Sequence, residues 1–520
     1  MRLCARRGRE EVGSKMMRAT MSDTPGFRWG ALLLAGFMLA GCGKTDDDEE
    51  DAGGDGDAVM MDDDGLGDIA VHEGGIDCAA ESEKADWTGF GHNRCGTRAN
   101  GSETLIGVDN VDTLEEKWNF DEAAVTSTTA LVDGVAYFGD WNGIVHAVEA
   151  ATGDEVWRAD TTGGMSSLSG SEVSGSPIVT DTQVFVGNGV GKLIAIDRED
   201  GSVQWSVETG DAGNMKLWGS PTVAGDVVMI GTASFQVFLA SSPPFAGAVV
   251  GYDTESGDEL WNVPLTEGAG VSVWSSPMVD PTRNTMYVGT GQQYMGDTDY
   301  SDAVVAIDYE KGEMVWSQQF TSGDNWTASD STGPDHDVGA TVNLFYIGDD
   351  AVVGVADKEG TYYALDRDSG DIVWSTKLTP GGATGGCMSS AAVYDGVIYV
   401  NSNDGESGGD GAGFGSGGPG ESTTFALETD TGDIIWETPM PDGAYGAATY
   451  ANGVIYIGTL NGELHALDAS DGNMLWTHSV GETIGGGITV ADGLLYVGYG
   501  WTWIPLGPVD GGLRVYGLPD

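Results

Sequence analysis

The chain has 520 residues, more than one compact core usually holds, so it is either several domains or a repeat that lengthens without thickening. Lys and Arg number 22 against 81 Asp and Glu, a net charge of −59 that repels nucleic acid and anionic head groups and sets nucleic-acid partners aside. Five cysteines without a Cys-x-x-Cys spacing exclude a zinc ribbon and a covalently attached c-type haem, while 84 glycines and 16 tryptophans among 40% hydrophobic residues read as many short strands joined by tight turns.

Residues 1–41 carry seven Lys/Arg and three acids, then an apolar run from Ala31 to Ala40 that ends in Leu39-Ala40-Gly41-Cys42. A run of about ten residues is half of what a bilayer-crossing helix needs, and it reads as a signal peptide. Its end resembles the lipobox of bacterial lipoproteins. The resemblance implies a lipidated amino terminus at Cys42 and, with Gly43 following, the outer membrane as destination, with the lipid as the only membrane attachment.

Residues 42–86 are expected to be a disordered acidic tether. From Gly43 to Asp86 there are 17 acids against two lysines, too little apolar area to offset chain entropy. The body, 87–520, holds 13 basic residues against 61 acids, a net of −48, which reads as a solvated acidic surface.

Within that body seven segments share Ala-apolar-Asp-x-x-x-Gly-x-x-x-Trp with small variations, from Val145 to Trp157 through Leu464 to Trp476. Each reads as strand, turn, strand, with a second hairpin upstream such as Asp133-Gly-Val-Ala-Tyr-Phe-Gly139. Successive tryptophans lie about 40 to 60 residues apart, the spacing of propeller blades. An eighth copy is split between Leu114-x-x-x-Trp118 and Gly512-Leu-Arg-Val-Tyr516. The expected fold is therefore all-β: an eight-bladed β-propeller of four-stranded antiparallel blades, closed by its N- and C-terminal strands and held by eight buried tryptophans.

The repeat resembles the pyrroloquinoline quinone (PQQ) repeat. Trp87-Thr-Gly-Phe-Gly-His-Asn93 with Arg98, Trp274-Ser-Ser-Pro-Met-Val-Asp-Pro281, Gly323-Asp-Asn-Trp326 and Gly333-Pro-Asp-His-Asp-Val-Gly339 narrow the likeness to quinoprotein alcohol dehydrogenases of the polyvinyl-alcohol-dehydrogenase type. That resemblance implies PQQ and calcium at the ring's centre and a small-molecule or polymeric alcohol as substrate. Trp274 stands at the family's stacking position and Lys358 at that of a cation near the quinone oxygens; an ordinary core Trp and loop Lys are the alternatives. Family metal ligands align with Gln236 and Gln292, neutral amides that bind calcium weakly.

The family's catalytic Asp is replaced by Thr327, which cannot act as a base at neutral pH. Asp324, Asp335 and Asp337 lie close by, as substitute bases or as solvated turn carboxylates; Asp324 and Asp337 are the candidate catalytic residues. Cys78 and Cys95 are a candidate disulfide, which leaves Cys387 a lone thiol. Ser402 to Ser422 reads as a glycine-rich surface loop, and Trp501, Trp503 and Ile504 either cap the funnel or pack on a neighbouring blade. The resulting expectation is a quinone-binding propeller lipoprotein with compromised alcohol oxidation. Its rival is a non-enzymatic scaffold for protein partners of the cell envelope, resembling the β-barrel assembly lipoprotein.

Overall fold

The computed structural model describes residues 58–60, 64–72, 75–164, 170–210, 215–237, 245–296, 298–327, 334–405, 420–501 and 509–520. The signal peptide over 1–41, Cys42, Trp503, Ile504 and the glycine-rich stretch 406–419 lie outside the described residues.

Eight antiparallel four-stranded blades follow one another in a ring, and the seventh carries Ala99–Asn100 as an added parallel strand beside Thr449–Ala451. Blade 1 is Ala130–Val132, Val135–Gly139, Ile144–Glu149 and Glu155–Asp160, paired in chain order. Its first turn is Asp133-Gly134, with φ of +52° and +75°, the two left-handed positions of a type I′ hairpin that Asx-Gly tolerates best. The split blade forms as the sequence implies, with Gly512–Gly517 paired between Leu494–Tyr499 and Glu115–Phe120. Closure of this kind leaves the first and last blades no open edge between them.

Each element of the repeat has a steric reason. The small residue of the third strand lies directly opposite the tryptophan, as Ala147 does to Trp157 and Ala364 to Trp374, and a bulge follows at once. At Gly251 even a Cβ would fall 2.3 Å from the Trp261 ring. The indole then leaves its own blade and docks on the next one. Trp118 Nε1 donates to the carbonyl of Ala150 at 2.9 Å, and its ring lies against Gly153, where φ is +74°.

The same two contacts recur six times. Trp157 meets Arg198 and Gly201, Trp205 meets Thr254 and Gly257, and Trp261 meets Tyr309 and Gly312. Trp316 meets Arg367 and Gly370, Trp374 meets Thr429 and Gly432, and Trp436 meets Ala469 and Gly472. The Asp-x-x-x-Gly turn of one blade is thus the socket for the tryptophan of the blade before it. One expectation is corrected: only Trp157 and Trp261 of the eight are buried, and the other six are half-buried. They sit on the outermost strand of each blade, which keeps one face in solvent.

A belt of hydroxyls ties the inner strands together. The amides of Thr128, Ser176, Ser220, Ser276 and Thr341 donate in turn to the hydroxyls of Ser176, Ser220, Ser276, Thr341 and Ser390, at 2.8 to 2.9 Å.

A second correction concerns the tether. The chain is ordered against the propeller well before Trp87: Ile69 and Ile76 are fully buried, and the Asp64 carboxylate accepts Arg94 Nη2 at 2.5 Å and Nε at 3.2 Å. Cys78, at the start of the short helix Cys78–Ser82, is disulfide-bonded to Cys95, and Cys387 is a free buried thiol. Composition averaged over 42–86 hides these few anchoring residues among acids. No helix among the described residues is long and apolar enough to cross a membrane.

Candidate functional site

Loops from blades all around the ring contribute side chains that line a central cavity of about 340 Å3. Trp274, Gln292, Asp335, Asp337, Lys358 and Trp501, all singled out from the sequence, line it together. Gln236 and Asp324 do not, although both are buried.

Trp274 is placed by a glycine. A Cβ on Gly339 would fall 1.7 Å from Cη2 and 2.0 Å from Cζ2 of the indole, so its benzo ring lies directly on the bare backbone there. The tryptophan is half-buried, with the cavity beside it. It is therefore a wall of the cavity as well as packing between loops.

Opposite charges meet at Lys358. Its Nζ donates to Asp335 Oδ1 and, at 3.2 Å, to Asp337 Oδ2, while Asp337 Oδ1 accepts the Gln292 amide at 2.7 Å. Burial pulls the Lys358 ammonium down, but Asp335 and Asp337 together outweigh it, hold the group above the usual lysine range and keep it charged. Burial lifts Asp335 to about 7 against the pull of that lysine. Asp324 is lifted to about 6, first by burial and then by Asp337. Both Asp324 oxygens are taken, by the Trp326 amide at 3.1 Å and the His336 amide at 2.8 Å, so this carboxylate shapes the loop behind the cavity wall and is not placed as a base.

Of the two positions expected to hold calcium, only Gln292 lines the cavity. Gln236 Oε1 accepts the Phe245 amide at 2.7 Å and is not among the residues that line the cavity, whereas Gln292 Nε2 donates to the Trp326 carbonyl at 3.3 Å. No group of three or more His, Cys, Asp or Glu among the described residues could hold a metal ion. The donor set does not fit calcium. A planar ring fits better: Trp274 offers a stacking surface and Lys358 a fixed positive charge. A quinone that carries carboxylates meets only that one cation in the described lining, beside Asp335, Asp337 and Glu172.

Sequence reasoning missed most of the wall: Trp141, Trp218, Tyr294, Tyr445 and Glu172. A signal was present. Of the 16 tryptophans, seven of the eight in the repeat register dock on the next blade through their indole N–H, and five outside it, Trp141, Trp218, Trp274, Trp326 and Trp501, line the cavity.

Asp302 lies deeper, fully buried with φ of +47°, and neither carboxylate oxygen has a hydrogen-bond partner. Burial, then Asp324 and Asp337, raise its carboxyl well above the ordinary range. The unfolded chain ionises this group first, so its contribution makes stability fall as pH rises above the ordinary carboxyl range. Asp302→Asn should remove that slope. The variant is expected to exceed the parent in stability by about 1–3 kcal/mol at pH 8 and by less at pH 5, measured by urea unfolding; a gap that shrinks toward pH 8 would contradict the assignment.

Residues 87–385 match the family described as "Glucose/ethanol/alcohol dehydrogenase, beta-propeller domain", and the chain belongs to this PQQ β-propeller family. Residues 420–512 match a second repeat family, described as "Outer membrane protein assembly factor BamB". Polyvinylalcohol dehydrogenase of a Pseudomonas species is 27% identical over 433 residues, 73% of this chain and 65% of that protein, so the chain spans just under two thirds of this relative's length. The crystal structure of quinohemoprotein alcohol dehydrogenase from Comamonas testosteroni superposes with a TM-score of 0.68 at 21% identity, covering 85% of this chain and 83% of that one. BamB from Moraxella catarrhalis follows at 0.51 and 16% identity, covering 78% and 97%. These two likenesses speak for the fold.

Proposed function

We propose that this propeller binds a planar quinone of the PQQ type in its central cavity, as an alcohol-dehydrogenase-like protein whose turnover is weakened. The observation that carries the reading is the Trp274 indole, laid on Gly339 at the cavity wall with Lys358 at the same cavity. Bound there, the quinone would supply the two-electron acceptor for alcohol oxidation.

The protein's own residues would do the rest. Trp274 orients the ring and Lys358 holds positive charge beside it. Of the two aspartates at the cavity, Asp335, near neutrality, is the one able to take an alcohol proton, since both Asp337 oxygens already accept hydrogen bonds, from the Gln292 backbone amide and from Lys358. Thr327 cannot do so, and the described residues offer no carboxylate cluster for calcium, which argues for slow turnover. The relatives' names add support, since they act on alcohols. A lipid anchor at Cys42 and an outer-membrane location, facing periplasm or exterior, belong to the same proposal.

The test is a titration of the full chain with PQQ, with and without calcium, read by the quinone absorbance shift and by dye reduction with ethanol or polyvinyl alcohol. Binding with slow or absent reduction is expected, and Trp274→Ala should abolish binding in a protein that still unfolds cooperatively. No binding by the parent would favour the scaffold reading, which the partial match over 420–512 keeps in view.

A further inference from the structure

We propose that the outer edges of the fifth and sixth blades form a docking face for a partner protein, which adds to them, as a further strand, an extended segment bearing Lys or Arg. The face lies on the rim of the ring and does not depend on the quinone. The fourth strands there, Ile372–Lys377 and Ile434–Met440, each pair with one neighbour only, Thr361–Asp366 and Ser422–Glu428. One row of backbone N–H and C=O groups on each is therefore turned outward, the template on which another strand pairs.

Natural sheets guard such an edge with charge. Half of this ring does so. In blades 8, 1, 2 and 3 at least one of the two residues before the tryptophan is charged or polar: Lys117, Glu155, Gln204 and Glu259. In the four consecutive blades 4 to 7 both are apolar. Within that arc both members of the pair are exposed in blades 5 and 6, where Ile372 is 46%, Val373 52%, Ile434 43% and Ile435 46% exposed. Neighbours in a strand point to opposite faces, so each edge is apolar on both faces at this end. The Trp374 indole docks at Thr429 and Gly432, which sets the two unguarded edges on adjoining, directly packed blades.

The charges around these edges select the partner. Asp371, Asp430, Asp433 and Glu437 are exposed, and none of them is in an ion pair among the described residues. Lys377, the one basic residue of the two strands, is held by Glu359 at 3.1 Å. A second copy of the chain would bring the same carboxylates against them, and anionic lipid meets the same repulsion. An aliphatic strand flanked by Lys or Arg meets both requirements. Main-chain pairing and covered Val and Ile side chains supply affinity, and opposite charge supplies register and a fast approach.

The test is a fluorescence-anisotropy titration of a labelled synthetic peptide, a Val-Ile-Thr core between lysine pairs, with the full chain at physiological salt. Two controls run beside it: the same peptide with glutamates for lysines, and one with alternate core amides N-methylated, which keeps the charge but cannot pair. The parent is expected to bind the lysine peptide at least about 10-fold tighter than either control. Val373→Lys combined with Ile435→Lys should lower that affinity at least about 10-fold, whereas Val156→Lys combined with Leu260→Lys, the same charge change on the opposite arc, should leave it unchanged. Equal binding of either control peptide, an equal loss in the two variants, or no binding by the parent would overturn the proposal. A parent dimer in ultracentrifugation, or adsorption to phosphatidylcholine vesicles, that the Val373→Lys and Ile435→Lys protein loses would assign the face to a second copy or to lipid and overturn it as well. PQQ binding is expected to be the same in parent and both variants, so this proposal and the quinone reading fail separately.

Discussion

Arg98→Ala is expected to lower stability by about 3–5 kcal/mol, one of the largest single-residue losses in the molecule. Arg98 is fully buried, yet every direction of its guanidinium is used. Nη1 donates to the Phe90 carbonyl in the leading segment, Nε to Ala448 O at 2.9 Å, and Nη2 to Thr449 Oγ1 at 3.0 Å and Ile488 O at 3.2 Å. Its Cζ lies 4.9 Å from the Phe90 ring centroid and 5.5 Å from that of Trp87, itself fully buried.

One side chain thus joins the leading segment to the seventh and eighth blades where the ring is closed. Alanine would take the guanidinium donors from the Phe90 and Ala448 carbonyls, leave Ile488 O with the Thr449 hydroxyl alone at 2.7 Å, and open a cavity between blades. Urea unfolding measures the loss, and Arg98→Met separates its parts, since methionine refills the space but satisfies no carbonyl. A midpoint for Arg98→Ala within experimental error of the parent would show that closure rests on strand pairing alone.

The ring was legible in the sequence because each residue of the repeat answers a local constraint. Alanine is small because tryptophan stands opposite it, and glycine is required because the preceding blade's indole lies on it at positive φ, as at Gly153. Even the split blade could be read from its two halves, since each kept its own strand pattern.

The cavity was less legible. Trp274 and Lys358 came from resemblance, whereas Glu172, Trp141 and Trp218 obey no repeat and meet only because loops from separate blades converge. Asp324 looked like a base by its place in the chain; two backbone amides that no pattern reveals take both its oxygens. The segment from Asp64 to Asp86 was read as tether because its acids outnumber its anchors. Ile69, Ile76 and Cys78 fasten it nonetheless.

The second large effect concerns Gly339. A methyl group there cannot coexist with the present position of the Trp274 indole, since the added carbon would fall 1.7 Å from Cη2. The glycine's φ lies outside the left-handed region, so alanine meets no backbone penalty and the whole effect should fall on the ring.

A PQQ titration of Gly339→Ala beside the parent, read by quinone absorbance and tryptophan quenching, therefore tests the stacking wall directly. The parent is predicted to bind and Gly339→Ala to bind at least about 100-fold more weakly, the scale of a lost aromatic anchor. Equal binding by both proteins would place the quinone somewhere other than against Trp274 and would contradict the account.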